Sequence, residues 1–182
     1  MRTTVVVGVS GVGKSRLIGE LATSIQLRHV QASELLRKSE SEVLKRAVDA
    51  EELRKGRVVD NQLVLTTAFL ALRASETRHI LFDGHNVIDT DHGLVDIPFG
   101  VFSAIGPALI IAIVGQPSDI VLRRSLDLAR KRPERSVDDI VCYQDRVVEL
   151  ARAHAGLLGI PMAVVQSGDI AHFKAVAVQE HE

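Results

Sequence analysis

The densest chemistry in the sequence lies near its amino terminus, in Gly8-Val9-Ser10-Gly11-Val12-Gly13-Lys14-Ser15, which fits G-x-x-x-x-G-K-[ST]. Glycines at these places let the backbone curl until successive N–H groups point inward at a phosphate. The helix expected to follow turns its positive end toward the same point. A lysine at position 14 reaches β- and γ-phosphates, and a hydroxyl at position 15 ligates Mg²⁺. This is the chemistry of holding a nucleoside triphosphate, so ATP and Mg²⁺ are the expected cofactors. The expected contacts are Gly8, Ser10, Gly11, Val12, Gly13, Lys14, Ser15 and the adjoining Arg16.

A metal held against phosphates needs a further hard oxygen ligand, usually an acid at the end of an apolar strand. His79-Ile80-Leu81-Phe82-Asp83 supplies one, and Ser15 with Asp83 is the expected Mg²⁺ pair. A third feature is a basic cluster: Arg123, Arg124, Arg130, Lys131, Arg132 and Arg135, opposed only by Asp127 and Glu134. Its local charge is +4 in a chain whose formal net charge is −1. Arginines brought over a transferring phosphoryl group stabilise its spread negative charge and exclude water. Lys14, Arg130, Arg132 and Asp83 are therefore the expected catalytic set, with Arg124 added to the nucleotide contacts. The alternative for Arg123 and Arg124 is a solvated helix face.

Several phosphate-binding classes drop out. There is no D-x-x-G switch, and neither Asn61 nor Asn86 precedes a lysine, so the guanine-reading pattern of GTPases is missing. The transporter-ATPase signature is also missing, and the chain is short for AAA+ motors with an additional helical domain. Kinases of nucleotides and small molecules remain.

These residues must be positioned by a scaffold, and the pattern specifies one. Short apolar, β-branched runs without alternation occupy 3–9, 27–30, 79–82, 108–114 and 162–165. Such runs read as strands covered on both faces of a parallel sheet. Helical spacing covers 15–25, 39–55, 62–73, 119–129 and 137–158, the last opening on a Ser136-x-x-Asp139 start. Residues 83–106, with four glycines and a proline inside, read as loop. The class is α/β with a five-stranded parallel sheet, in a single domain over 1–182.

Composition narrows the partners. Near-neutral charge and 3% aromatics argue against a nucleic acid polymer, whose binding needs a basic surface or stacking platforms. One cysteine, Cys142, makes no internal disulfide. Cys142 and Tyr143 read as packing residues, and His85, His92, Asp89 and Asp91 as a loop rather than a metal cluster. No run approaches the ~20 apolar residues of a membrane span, and the apolar stretch behind Met1-Arg2 is too short for a signal peptide. A cytoplasmic protein without a membrane partner is expected.

Together these residues carry a resemblance. The chain resembles the nucleoside monophosphate kinases of the adenylate kinase superfamily and is particularly similar to the archaeal type of adenylate kinase. Ala32-Ser33-Glu34-Leu35-Leu36-Arg37 is similar to that family's T-G-D-x-L-R, and Gly56-Arg57-Val58-Val59-Asp60-Asn61-Gln62-Leu63-Val64 to its G-x-L-V-x-D-E-L-V. Asp83-Gly84-His85 stands where the archaeal type has D-T-H. Val87 stands near the place of the arginine that closes the bacterial D-G-F-P-R, which leaves the acceptor phosphate to Arg37 and the basic segment. The resemblance implies a three-layer P-loop NTPase fold with a helical acceptor-binding insert at about 32–74 and a short lid at about 130–136. It implies transfer from ATP to AMP, acceptor contacts at Ser33, Glu34, Arg37, Val59 and His85, and a homo-oligomer. A small-molecule or nucleoside kinase on the same scaffold, and a nucleotide-binding regulator with weak ATPase activity, stay open as alternatives.

Overall fold

Thr3–Gly8 (β1) is buried along its whole length, because it lies in the middle of a parallel sheet covered on both faces. The structure is a computed structural model that describes residues 2–44, 58–127 and 132–178, with the side chains of 40, 42–44 and 58–60 left aside. The other strands of the main sheet are Leu27–Gln31 (β2), His79–Asp83 (β3), Leu109–Val114 (β6) and Met162–Gln166 (β7), in the order β2-β3-β1-β6-β7. All four pairings are parallel. Burial follows position: β3 and β6 are nearly continuous in the core, whereas the edge strands β2 and β7 are mostly half-buried or exposed.

Helices cover both faces. Lys14–Ala22 (α1) buries Leu17, Ile18 and Leu21 at the spacing of one helix face, against β1 and Ile170–Val178 (α7). Ala32–Leu44 (α2) and Val58–Ser75 (α3) pack together above the β2 end of the sheet, within the span expected for the insert. The part of the expected 39–55 helix beyond 44 lies outside the described residues. Pro117–Leu126 (α5) packs on the long Val137–Leu158 (α6). The bounds of α6 match the sequence expectation because both ends carry strong local chemistry. Ser136 and Asp139 form a reciprocal capping box, and Gly159 ends the helix in the left-handed region at φ 66.

The segment expected to be loop, 83–106, departs from that reading. It folds into an antiparallel hairpin, Val87–Thr90 (β4) with Gly93–Asp96 (β5), followed by the short helix Phe99–Ile105 (α4). Its Gly93, Pro98 and Gly106 are boundaries rather than filler. Gly93 leaves the hairpin turn at φ 116, Pro98 precedes α4, and Gly106 ends it at φ 59. The Thr90 hydroxyl donates to the Gly93 carbonyl (2.8 Å) and accepts from the His92 N–H (3.2 Å), tying the turn to its own strand. Cys142 also departs from expectation: it is exposed, whereas its neighbour Tyr143 is buried and donates to the Val87 carbonyl at 2.9 Å.

One core contact bears directly on the site. Phe69 of α3 is fully buried and meets Phe82 edge to face, with ring centroids 5.0 Å apart, one residue before the acid Asp83. Phe69→Ala is expected to lower the unfolding free energy by about 3–5 kcal/mol through the cavity it leaves. The midpoint of urea unfolding reads this directly. A loss near zero would mean that α3 does not pack on the sheet as described.

Candidate active site

The carboxyl ends of β1, β2 and β3 open on one cleft of about 560 Å³. Ligands of open α/β sheets bind at this edge. Gly8 leaves β1 and Gly13 precedes α1, with Gly11 and Gly13 at φ 90 and 107. A Cβ on Gly8 would lie 2.8 Å from the Ile113 carbonyl oxygen, so the loop can pass β6 this closely only without a side chain. The loop backbone is thereby shaped as an anion cradle at the start of a helix.

Charged groups converge inside it. The Lys14 ammonium is buried, donates to the Gly8 carbonyl at 3.0 Å and stands 3.9 Å from Asp83. The Ser15 hydroxyl donates to Asp83 Oδ2 at 2.8 Å. Asp83 is there because β3 runs parallel to β1, with Val6 in register with Asp83, so the acid ends beside the loop. His85, two residues on, is bonded through Nδ1 to the Gly8 carbonyl at 2.9 Å. Burial alone pushes the Asp83 carboxyl up. His29, whose Nε2 lies 3.6 Å away, the Lys14 charge, the Ser15 hydroxyl and His85 outweigh it and hold Asp83 below its usual range. The acid is ionised at neutral pH.

Arg132 closes the cleft from the other side. Its Nε donates to the Ser10 hydroxyl at 3.0 Å and its Nη2 to Asp127 at 2.5 Å. Of the expected acceptor residues, Ser33 and His85 line the same cleft, together with Gln31 and Ala32. Glu34 and Arg37 are exposed on α2 and are not among the lining residues. Val59 lies in α3 with its side chain outside the described set, and Arg130 is outside the described residues. Arg16 lines the cleft while pairing with Glu20, four residues on in the same helix.

The basic cluster divides in a way the sequence reading did not foresee. Arg124, expected at the nucleotide, is 6% exposed and pairs with Asp89 at 2.7 Å, and it is not among the cleft-lining residues. Arg135 joins the same carboxylate at 2.8 Å. Arg123, one position round the helix, donates to the Val12 carbonyl at 3.1 Å. Both side chains lie against the loop, Arg124 by its aliphatic stem beside Gly11, but successive residues on a helix point about 100° apart and the two guanidiniums part, one to Val12 and the other to Asp89. Ser167, just beyond β7, also donates to Val12, at 2.5 Å. The sequence signal that would have found Ser167 is its place at the carboxyl edge of a parallel strand.

A glycine-shaped loop at a helix start, a buried lysine, an ionised acid beside a hydroxyl and an arginine at the mouth form an arrangement suited to a polyphosphate. The family model that matches the chain is described as an AAA domain and covers residues 7–141, from β1 through this loop to α6. The relatives settle the family. The adenylate kinase of Pyrococcus horikoshii is 32% identical over 146 residues, covering 78% of this chain and 74% of that protein. The chain belongs to the adenylate kinase superfamily. The adenylate kinase of Methanoculleus marisnigri is 27% identical over 176 residues, covering 91% of this chain and 90% of its own length. Solved structures extend the likeness of fold. A shikimate kinase from Bacteroides thetaiotaomicron has a TM-score of 0.57 at 11% identity, covering 96% of this chain and 97% of that one. A gluconokinase from Sinorhizobium meliloti has a TM-score of 0.52 at 13% identity, covering 97% and 89%. The three-layer P-loop kinase fold is thus shared, and as a member of this superfamily the protein is a phosphotransferase. Among the described residues, no helix is long and apolar enough to cross a membrane.

Proposed function

We propose that the protein is an ATP-dependent nucleoside monophosphate kinase with AMP as its acceptor, acting in the cytoplasm. The observation that carries this reading is one cleft lined by Lys14, Asp83 and Arg132 together with His85 and with Ser33 at the start of α2. A donor triphosphate on the loop and an acceptor beside α2 would then meet within it. The kinship with adenylate kinases supports AMP as acceptor.

Asp83 and Ser15 fit Mg²⁺ by the chemistry of their donors: an ionised carboxylate and a hydroxyl, 2.8 Å apart, both hard oxygens. When bound there, Mg²⁺ neutralises charge on the β- and γ-phosphate oxygens. Lys14 holds the same oxygens from the floor of the cleft, and the loop N–H groups orient the β-phosphate. Arg132, free to exchange Ser10 for a phosphate oxygen, neutralises the transferring group. The acceptor is aligned by Ser33 and His85, with Arg37 reaching its phosphate from the exposed side of α2. Positioning and electrostatics carry the transfer, and no covalent enzyme intermediate is needed.

The test is a coupled assay of ATP with a panel of nucleoside monophosphates, nucleosides and polyols. AMP is expected to raise ADP formation well above the ATP-only rate. If no monophosphate does so, the reading is wrong, and turnover with a polyol or nucleoside would move the protein to a different acceptor class. Arg37→Ala is expected to raise the KM for AMP by about tenfold or more, from the loss of one charge-assisted contact, with the KM for ATP little changed. An unchanged KM for AMP removes Arg37 from the acceptor site.

A further inference from the structure

The carboxylate of Asp89, on β4 of the hairpin, is 5% exposed and takes charge-assisted hydrogen bonds from two arginines of the basic cluster. Arg124 Nη2 donates to it at 2.7 Å and also to the Pro133 carbonyl at 2.9 Å. Arg135 donates through Nε at 3.1 Å and Nη2 at 2.8 Å, and further binds the Thr90 carbonyl at 3.1 Å. The segment from Arg132 to Arg135 is therefore held at Pro133 and at Arg135, and both holds pass through Asp89. Arg132, at the near end of that segment, is the residue that reaches the Ser10 hydroxyl. Neither Asp89 nor Arg124 is among the cleft-lining residues, so this pairing is not itself a phosphate contact.

We infer that Asp89 is a positioning residue for nucleotide binding: it braces the 132–135 segment through Arg124 and Arg135 and so sets Arg132 against the phosphate-binding loop. The brace also occupies two arginines whose charge would otherwise be drawn toward a triphosphate. The phosphate-facing contact from this segment is thereby left to Arg132. Arginine suits the brace because its planar fork can bind a carboxylate and a carbonyl at once, which a lysine cannot do in a fixed geometry. The inference rests on the proposed placing of Arg132 at the donor phosphates.

A double-mutant cycle tests it, read by calorimetric titration of the full chain with MgATP. Asp89→Asn keeps the side-chain volume and removes the charge, whereas Arg132→Ala removes the braced group. Each is expected to weaken the MgATP Kd by about tenfold. The double variant is expected to bind no more weakly than Arg132→Ala alone, because Asp89 acts through Arg132. Losses that multiply in the double variant, an unchanged or tighter Kd in Asp89→Asn, or wild-type affinity in Arg132→Ala would each overturn the inference. Should Asp89→Asn fail to fold in a thermal melt, Arg135→Gln cuts the more exposed arm of the brace and carries the same cycle. Because the readout is donor binding, failure of AMP as acceptor would sink the proposed function and leave this result standing.

Discussion

Lys14→Ala should abolish measurable phosphoryl transfer, with a loss in kcat on the order of 10³-fold or more. The expectation follows from where the ammonium stands. It is buried, pinned by the Gly8 carbonyl at 3.0 Å and 3.9 Å from Asp83, so its charge acts in a site largely shielded from water. Alanine leaves nothing of comparable reach, since Arg132 approaches from the mouth of the cleft. The loss should appear in steady-state turnover with ATP and acceptor, while the thermal melt of the nucleotide-free protein keeps a single cooperative transition. Turnover within tenfold of the wild type would mean that Lys14 does not touch the transferring group.

Asp83→Asn is expected to lower kcat by about 10²–10³-fold by weakening the hold on Mg²⁺ beside Ser15. The same variant tests the electrostatics. In the folded chain the Asp83 carboxyl ionises below its usual range, so its partners favour the charged form. A group whose folded pKa is depressed contributes stability above its unfolded pKa. That contribution is lost as pH falls through the folded value. The wild type should therefore lose stability toward acid, below about pH 4, in part through Asp83, and Asp83→Asn should flatten that slope. Urea midpoints followed across acidic pH measure this. An identical slope in the two proteins would show that the carboxylate is not held by Lys14, Ser15 and the two histidines.

The amino-terminal half of the candidate site was legible because its chemistry and its burial share one short segment. The loop needs glycines at fixed places, and the strand before it needs unbroken apolar residues. The bounds of α6 were legible for a similar reason, since Ser136, Asp139 and Gly159 all act within a turn of the helix ends. The hairpin at Val87–Asp96 was not, because two four-residue strands are too short for their alternation to stand out from turn residues. Nor could local sequence divide the arginines. Arg124 is taken by an acid 35 residues earlier in the chain, and no periodicity within α5 reports on that acid. The same holds for Ser167, which meets the loop 155 residues away.

That last contact has a consequence for how binding competence arises during synthesis. The Val12 carbonyl is fixed by Arg123 and Ser167, and β7, which delivers Ser167, must first pair with β6. The glycine loop is synthesised 155 residues before Ser167, yet its final shape waits on the strand that delivers that serine. Such long-range closure is slow relative to helix formation. A nascent chain stalled before residue 167 should therefore hold nucleotide more weakly than the released protein, although it already displays the whole phosphate-binding motif.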